Sequence, residues 1–181
     1  MEERYHSLDE LIEMVEEPNK TPCKKLFSSN IKKFEKAKGS SFKHQSWEGG
    51  YIDHITEVMN IAISIYLLLD SKRKLPFSIS DALLVLYLHD LEKAWKYGGT
   101  KEEVEDFEKY KDNYEFILNK AKEYNFELNS EHLNALKYVH GEEDDYDKKR
   151  NVQGPLAAFA HNCDVISARI WHNFPDKWAN K

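Results

Sequence analysis

The sequence holds only two cysteines, Cys23 and Cys163, and neither sits in a CxxC pair. Their isolation argues against a disulfide framework and against a thiolate zinc site. Prolines and glycines are also few, five and seven, and they stand where helical patterns stop rather than in regularly spaced turns. No stretch shows the apolar–polar alternation of strands, and no 20–50-residue repeat is present. The longest apolar run, Ile61–Leu69, is too short to span a bilayer, and the opening MEERYHSLDE is acidic where a secretory signal is basic. These absences lead us to expect a cytoplasmic protein with no membrane partner. Positive charge is in deficit too: 26 Lys and Arg face 32 Asp and Glu, a net charge of −6. A broad nucleic-acid surface needs the opposite balance. A small phosphorylated ligand in a local basic pocket fits it.

What remains reads as one all-α domain, a compact multi-helix bundle over residues 1–181. Ser7 and Glu10 form a capping box, and Pro18 closes that first helix. A second segment runs from about Pro22 to Lys38, so the N-terminal helices occupy 7–38. The loop GSSFKHQSWEGG leads into a long periodic run, Tyr51–Leu69. PFSISD caps a helix over 80–97, and Gly98–Gly99 end it. Residues 101–125 read as one charged amphipathic helix. LNSEH opens another helix that ends near Val139. GEEDDYDKKR is a polar loop, and GPLAAFAHNCDVISARIW is the last helix. Homo-oligomerisation is left open by the sequence.

Polar residues interrupt these apolar faces. His54 shares a stripe with Val58, Ile61, Ile65 and Leu68; His89 shares one with Ala82, Val85 and Leu86. Asp90 adjoins His89, and Lys93 lies within one turn of both. Asp164 follows Ala157, Ala160 and His161 and precedes Ala168. Burying such groups singly costs several kcal/mol unless they are paired or bind a metal. Each alone is usually a hydrogen-bonded core residue or a cap. Together, His54, His89, Asp90 and Asp164 are a mixed nitrogen/oxygen set suited to one divalent ion (Mn, Co, Ni, Fe, Zn or Mg).

The segments GGYIDH, LHDLEK and HNCDVISAR resemble, in that order, the motifs of the HD-domain metal-dependent phosphohydrolase superfamily. The resemblance covers about residues 42–170. It implies an all-helical fold, metal ligation by His54, His89, Asp90 and Asp164, and hydrolysis of phosphate esters or anhydrides, very often of nucleotides. HQSWEGGYIDH is also similar to the HHxxxGGLLxH of members fused to 3′–5′ exoribonucleases, with His44 at the upstream histidine. HDLEK is similar to the HDxGK form of the dyad, which implies a phosphate-contacting Lys93. Members with HDxxE carry a catalytic glutamate where this chain has Lys93; Glu92 is one position early and on a regular helix faces elsewhere.

The expected activity is therefore metal-dependent hydrolysis of a nucleotide or deoxynucleotide through a metal-activated water. Asp90 is the candidate base, Lys93 and Lys96 the candidate phosphate contacts, and Arg169 either a further phosphate contact or a surface ion pair. His140 is either acid, second-metal ligand or supporting residue. His132 reads as exposed or in an N-terminal turn, His161 as core or supporting, and His6 and His172 as surface residues. Lys148, Lys149 and Arg150 form a solvated run or a rim, and Trp47, Tyr51, Trp95 and Tyr146 are the rings available to stack a base. Two other readings stand beside this one: a phosphodiesterase or nuclease on short oligonucleotides or cyclic nucleotides, and a helical regulatory module that binds a ligand without turnover.

Overall fold

The structure, a computed structural model, describes residues 4–173. These residues form α1 (Leu8–Glu13), α2 (Lys20–Lys36), α3 (Gly50–Lys72), α4 (Ile79–Leu88), α5 (Glu92–Gly98), α6 (Lys101–Phe107), α7 (Asn113–Glu123), α8 (Ser130–Tyr138) and α9 (Pro155–Val165). A π-helical turn, Ile166–Ile170, continues α9, and no strand occurs among the described residues. The all-α expectation holds. Capping boxes at Ser7/Glu10 and Ser78/Asp81 start α1 and α4, and the Asn129 side chain caps α8.

Helix α4 is the axle. Ala82 through Leu88 are all buried, so it has no polar face, and α3, α8 and α9 pack around it. Each of its buried leucines contributes on the order of 1.5–3 kcal/mol of burial free energy. A helix held on every side fixes whatever its C-terminus carries, and His89 and Asp90 come next.

Two expected helices divide in two. Residues 80–97 break at the dyad. There Leu91 N–H bonds Leu88 O (3.1 Å), Lys93 N–H bonds Asp90 O (3.0 Å), and Ala94 N–H bonds Leu91 O (3.2 Å). These three-residue spacings tighten the turn towards 3₁₀ geometry, in which residues i and i+3 eclipse. Residues 101–125 break because the Asp112 side chain caps a new helix at Glu115 N–H. That break lets Phe107 and Tyr110 meet the Phe116 ring edge-on, both at 5.2 Å.

Helix α3, at 23 residues, is longer than the apolar run suggested, and by length and composition it could cross a membrane. Its first half is buried and carries His54, Glu57 and Asn60; Leu67, Leu68 and Leu69 at its far end are exposed. The expected His54 stripe therefore stops short of Leu68.

The loop before α3 explains the paired glycines. Gln45 is fully buried in the left-handed region (φ 37°), and Gly39 N–H donates to its carbonyl at 2.9 Å. A Cβ on Gly50 would lie 1.9 Å from that same oxygen. Gly50→Ala must push the Gln45 carbonyl aside, and overpacking of this kind costs about 1–3 kcal/mol. The melting temperature is expected to fall by about 5–10 °C in that variant. An unchanged melting curve would mean that the loop yields freely.

Candidate metal centre

Three helices converge on one point. Helix α3 supplies His54, the tightened turn after α4 supplies His89 and Asp90, and α9 supplies Asp164. Their four ligand atoms all lie within 4.8 Å of one another. His54 Nε2 is 3.3 Å from Asp90 Oδ2 and 3.2 Å from Asp164 Oδ1. His89 Nε2 is 3.3 Å from Asp90 Oδ2 and 3.7 Å from Asp164 Oδ1. Metal–ligand bonds of about 2.0–2.2 Å place neighbouring ligand atoms roughly 3.0–3.5 Å apart, close to these spacings.

The nitrogens themselves test the fit. His54 Nε2 and His89 Nε2 are both buried, and neither has a hydrogen-bond partner. Leaving such atoms unsatisfied costs about 1–3 kcal/mol each, so a buried pair aimed at two carboxylates requires an explanation. A cation supplies one. The electrostatics agree: burial opposes charge on His89, yet Asp90 and Asp164 outweigh it and lift the imidazole to about 10. A field that holds a proton so firmly is a field that attracts a cation. Burial also works against charge on Asp90 and Asp164, but Lys93 and His89 hold the first carboxyl, and His54 and His89 the second, well below the usual carboxylate range. The buried His54, His89, Asp90 and Asp164 group can hold a metal ion.

A cavity of about 280 Å³ opens above this group, lined by His44, Asp90, Glu92, Lys93, Lys96, Tyr97, Asn113, His140 and Asp164. Lys93 Nζ bonds Asp90 Oδ2. Burial lowers its proton affinity, but Asp90, with Glu92 and Asp164 behind it, more than restores it and keeps the ammonium charged. His140, half-exposed past the end of α8, reaches Asp90 Oδ1 at 3.3 Å and Asp164 Oδ2 at 4.0 Å. His161 Nδ1 pairs with Val139 O at 2.7 Å and so steadies the residue that precedes His140. His44 faces the cavity; burial, then His54 and Lys93, push its imidazole down to about 4. Lys96 lines the outer wall, its ammonium 5.4 Å from the Tyr97 ring centre.

Other expected residues lie elsewhere. Arg169 is exposed and outside the cavity lining, as are Lys148, Lys149 and Arg150, the last pairing with Asp147 at 3.1 Å. Of the four rings considered for base stacking, Tyr51 is fully buried and Trp95 nearly so. The Trp47 indole donates to Asp53 at 2.7 Å, and Tyr146 is exposed away from the cavity. His132 sits in the first turn of α8, buried, with Nε2 2.8 Å from Asp81 Oδ1; it ties α8 to the cap of α4. His6 is not a surface residue: Asn60 takes its N–H (2.7 Å) and donates to its carbonyl (2.9 Å), drawing it to 4% exposure. His172 is exposed, and its carbonyl accepts from Gln45 N–H at 2.8 Å.

Glu92 is the main residue that helical phase misplaced. Because the dyad turn is tightened, Glu92 eclipses His89 and enters the cavity wall instead of facing elsewhere. It is 3% exposed, accepts a bond from Asn113 Nδ2 at 3.2 Å, and leaves Oε2 buried without a partner. Burial, then the neighbouring Asp90, push its carboxyl up to about 7. Asn113, Gln45, Glu57 and Ser167 were also not singled out from sequence. Comparison with known proteins adds no assignment: no family model, no curated protein and no solved structure matches the chain.

Proposed function

We propose that this protein is a metal-dependent phosphohydrolase acting on small phosphorylated compounds, nucleotides or deoxynucleotides foremost. One observation carries the reading: two buried, unpartnered imidazole nitrogens face two carboxylates at the floor of a cavity whose walls carry lysines. Mn, Co, Ni, Fe, Zn and Mg all accept nitrogen and oxygen ligands. Such an ion, when bound, activates water near neutral pH and polarises a phosphoryl oxygen.

The chain's own residues do the rest. Lys93 and Lys96 set positive charge on the side where a phosphoryl group enters, and a preformed ammonium favours charge that grows in the transition state. Asp90, shared between Lys93 and His140, anchors both of these cationic groups at the cavity floor. His140 Nε2 lies at the cavity rim, and Asp90 strengthens its hold on a proton against the effect of burial. That makes Nε2–H a proton source for the departing oxygen.

A phosphodiesterase acting on short oligonucleotides or cyclic nucleotides is the second reading, favoured by His44, which the HQSWEGG loop brings to the cavity wall. A polymer-tracking enzyme also needs a basic groove, and neither Arg169 nor the 148–150 run extends this wall. Hydrolysis of mononucleotides is therefore expected to outpace that of single-stranded RNA or DNA, with only moderate salt dependence. A nucleotide and oligonucleotide panel with Mn, Co, Ni and Mg decides it. Efficient cleavage of oligonucleotides with mononucleotides untouched reverses the order, and no turnover with tight ligand binding selects the regulatory module.

A further inference from the structure

The side of His54 that faces away from the carboxylates has partners of its own. Its Nδ1 lies 3.1 Å from Ser167 Oγ, and Ser167 Oγ donates to Glu57 Oε2 at 2.5 Å. Gln45 Nε2 donates to the same Oε2 at 3.0 Å, and Gln45 Oε1 meets His44 Nδ1 at 2.8 Å. Glu57 is 2% exposed, and Gln45, His54 and Ser167 are fully buried.

Proton accounting gives this chain a direction. A carboxylate only accepts, and a serine hydroxyl has a single proton. With that proton committed to Glu57, Ser167 Oγ must accept from His54, so the imidazole carries hydrogen on Nδ1. Nε2 is then the nitrogen turned to Asp90 and Asp164, and its lone pair is the one a cation would take in place of a proton. The same logic runs the other way. Gln45 turns its NH2 group to Glu57 Oε2 and, at 3.4 Å, to Ser167 Oγ, so its oxygen faces His44 and requires hydrogen on His44 Nδ1 as well. His89 has its Nδ1–H fixed by simpler means, against Leu86 O at 2.7 Å. A backbone carbonyl can only accept.

The sequence builds the arrangement by spacing. Glu57 lies three residues after His54 on α3, and Ser167 lies three after Asp164 across the junction of α9 and the π turn. A π turn widens the helix by one residue, a distortion common at functional sites. Asp164 and Ser167 thus meet opposite nitrogens of one imidazole. The Gly39–Gly50 loop then holds Gln45 against Glu57.

We propose that Glu57, Ser167 and Gln45 are positioning residues, a buried relay that fixes His54 as its Nδ1–H tautomer and so presents Nε2 to a metal. The value of that tautomer to function rests on the metal-dependent reading above; the tautomer itself does not. Partners of this kind orient a ligand and raise its basicity.

The test uses the full chain with Ser167→Ala, Glu57→Gln and Glu57→Leu. Burial pushes the Glu57 carboxyl up to about 7, with Ser167 opposing. Measurements therefore belong at about pH 8, where the carboxylate predominates. Manganese(II) affinity is read by calorimetry, and the His54 ring protons are read by ¹H–¹⁵N NMR on metal-free protein. Ser167→Ala is expected to lower affinity by about 10–100-fold and to remove the protected Nδ1–H signal. Glu57→Gln keeps an oxygen for Ser167 and is expected to stay within about threefold of wild type. Glu57→Leu should match Ser167→Ala, and the double variant should be no worse than either, because the two act in series. If Glu57→Leu does not fold, the Ser167→Ala and Glu57→Gln pair still decides.

The relay is overturned if Ser167→Ala leaves both the Nδ1–H signal and the affinity as in wild type, or if the double variant is additive. If wild type takes up no manganese while Ser167 still governs the His54 signal, the relay stands and the metal reading falls.

Discussion

Alanine at His54 or at Asp164 is expected to release the metal and to lower phosphoester turnover by about 10³-fold or more. Each substitution removes one ligand from a set of four contributed by three separate helices. Losing a residue that merely orients a ligand costs about 10–100-fold, so the two classes of variant separate by magnitude. Asp90 is the poorer target. It also bonds Lys93 and faces His140, and removing one partner of a buried ion pair is itself destabilising by about 3–5 kcal/mol. Metal analysis beside a turnover assay checks the expectation. Unchanged metal content in both alanine variants would break the assignment of the four ligands.

Lys93→Ala is expected to keep the metal and lose about 10²–10³-fold in kcat/KM. A protonated amine has no lone pair to offer a cation, and Asp90 keeps this one protonated. Its place is on the cavity wall beside Lys96, where an incoming phosphoryl group would meet it. The competing role is to neutralise Asp90 alone. In that case the alanine variant would bind manganese more tightly and turn over as fast as wild type. Calorimetry and steady-state kinetics on the same preparation distinguish the two.

Much of this was legible in the sequence because burying a polar group is costly, and the cost leaves a trace. His54 among Val58 and Ile61, and Asp164 among Ala157 and Ala160, announce themselves as polar positions on apolar faces. Capping residues such as Ser7, Ser78 and Asn129 place helix starts to within a residue or so. Glu92 was not legible, because its direction depends on the hydrogen bonding of the turn at His89–Leu91 and not on residue type. A regular helix turns it away; the tightened turn brings it in. Arg169, read as either a phosphate contact or a surface residue, lies in the π turn after α9 and is exposed, in keeping with the second alternative.

The relay lies between these cases. Glu57 three residues after His54, and Ser167 three after Asp164, are a readable signal on two helices. Only the packing of those helices shows that both converge on one imidazole. His6 illustrates the reverse error. A histidine outside the metal constellation reads as a surface residue, but Asn60 satisfies its backbone and draws it inward.

Anomalous diffraction from crystals soaked in manganese(II) tests the central claim most directly. One strong peak is expected at about 2.0–2.2 Å from His54 Nε2, His89 Nε2 and a carboxylate oxygen each of Asp90 and Asp164. A peak elsewhere in the molecule, or none at this point in well-ordered crystals, would contradict it.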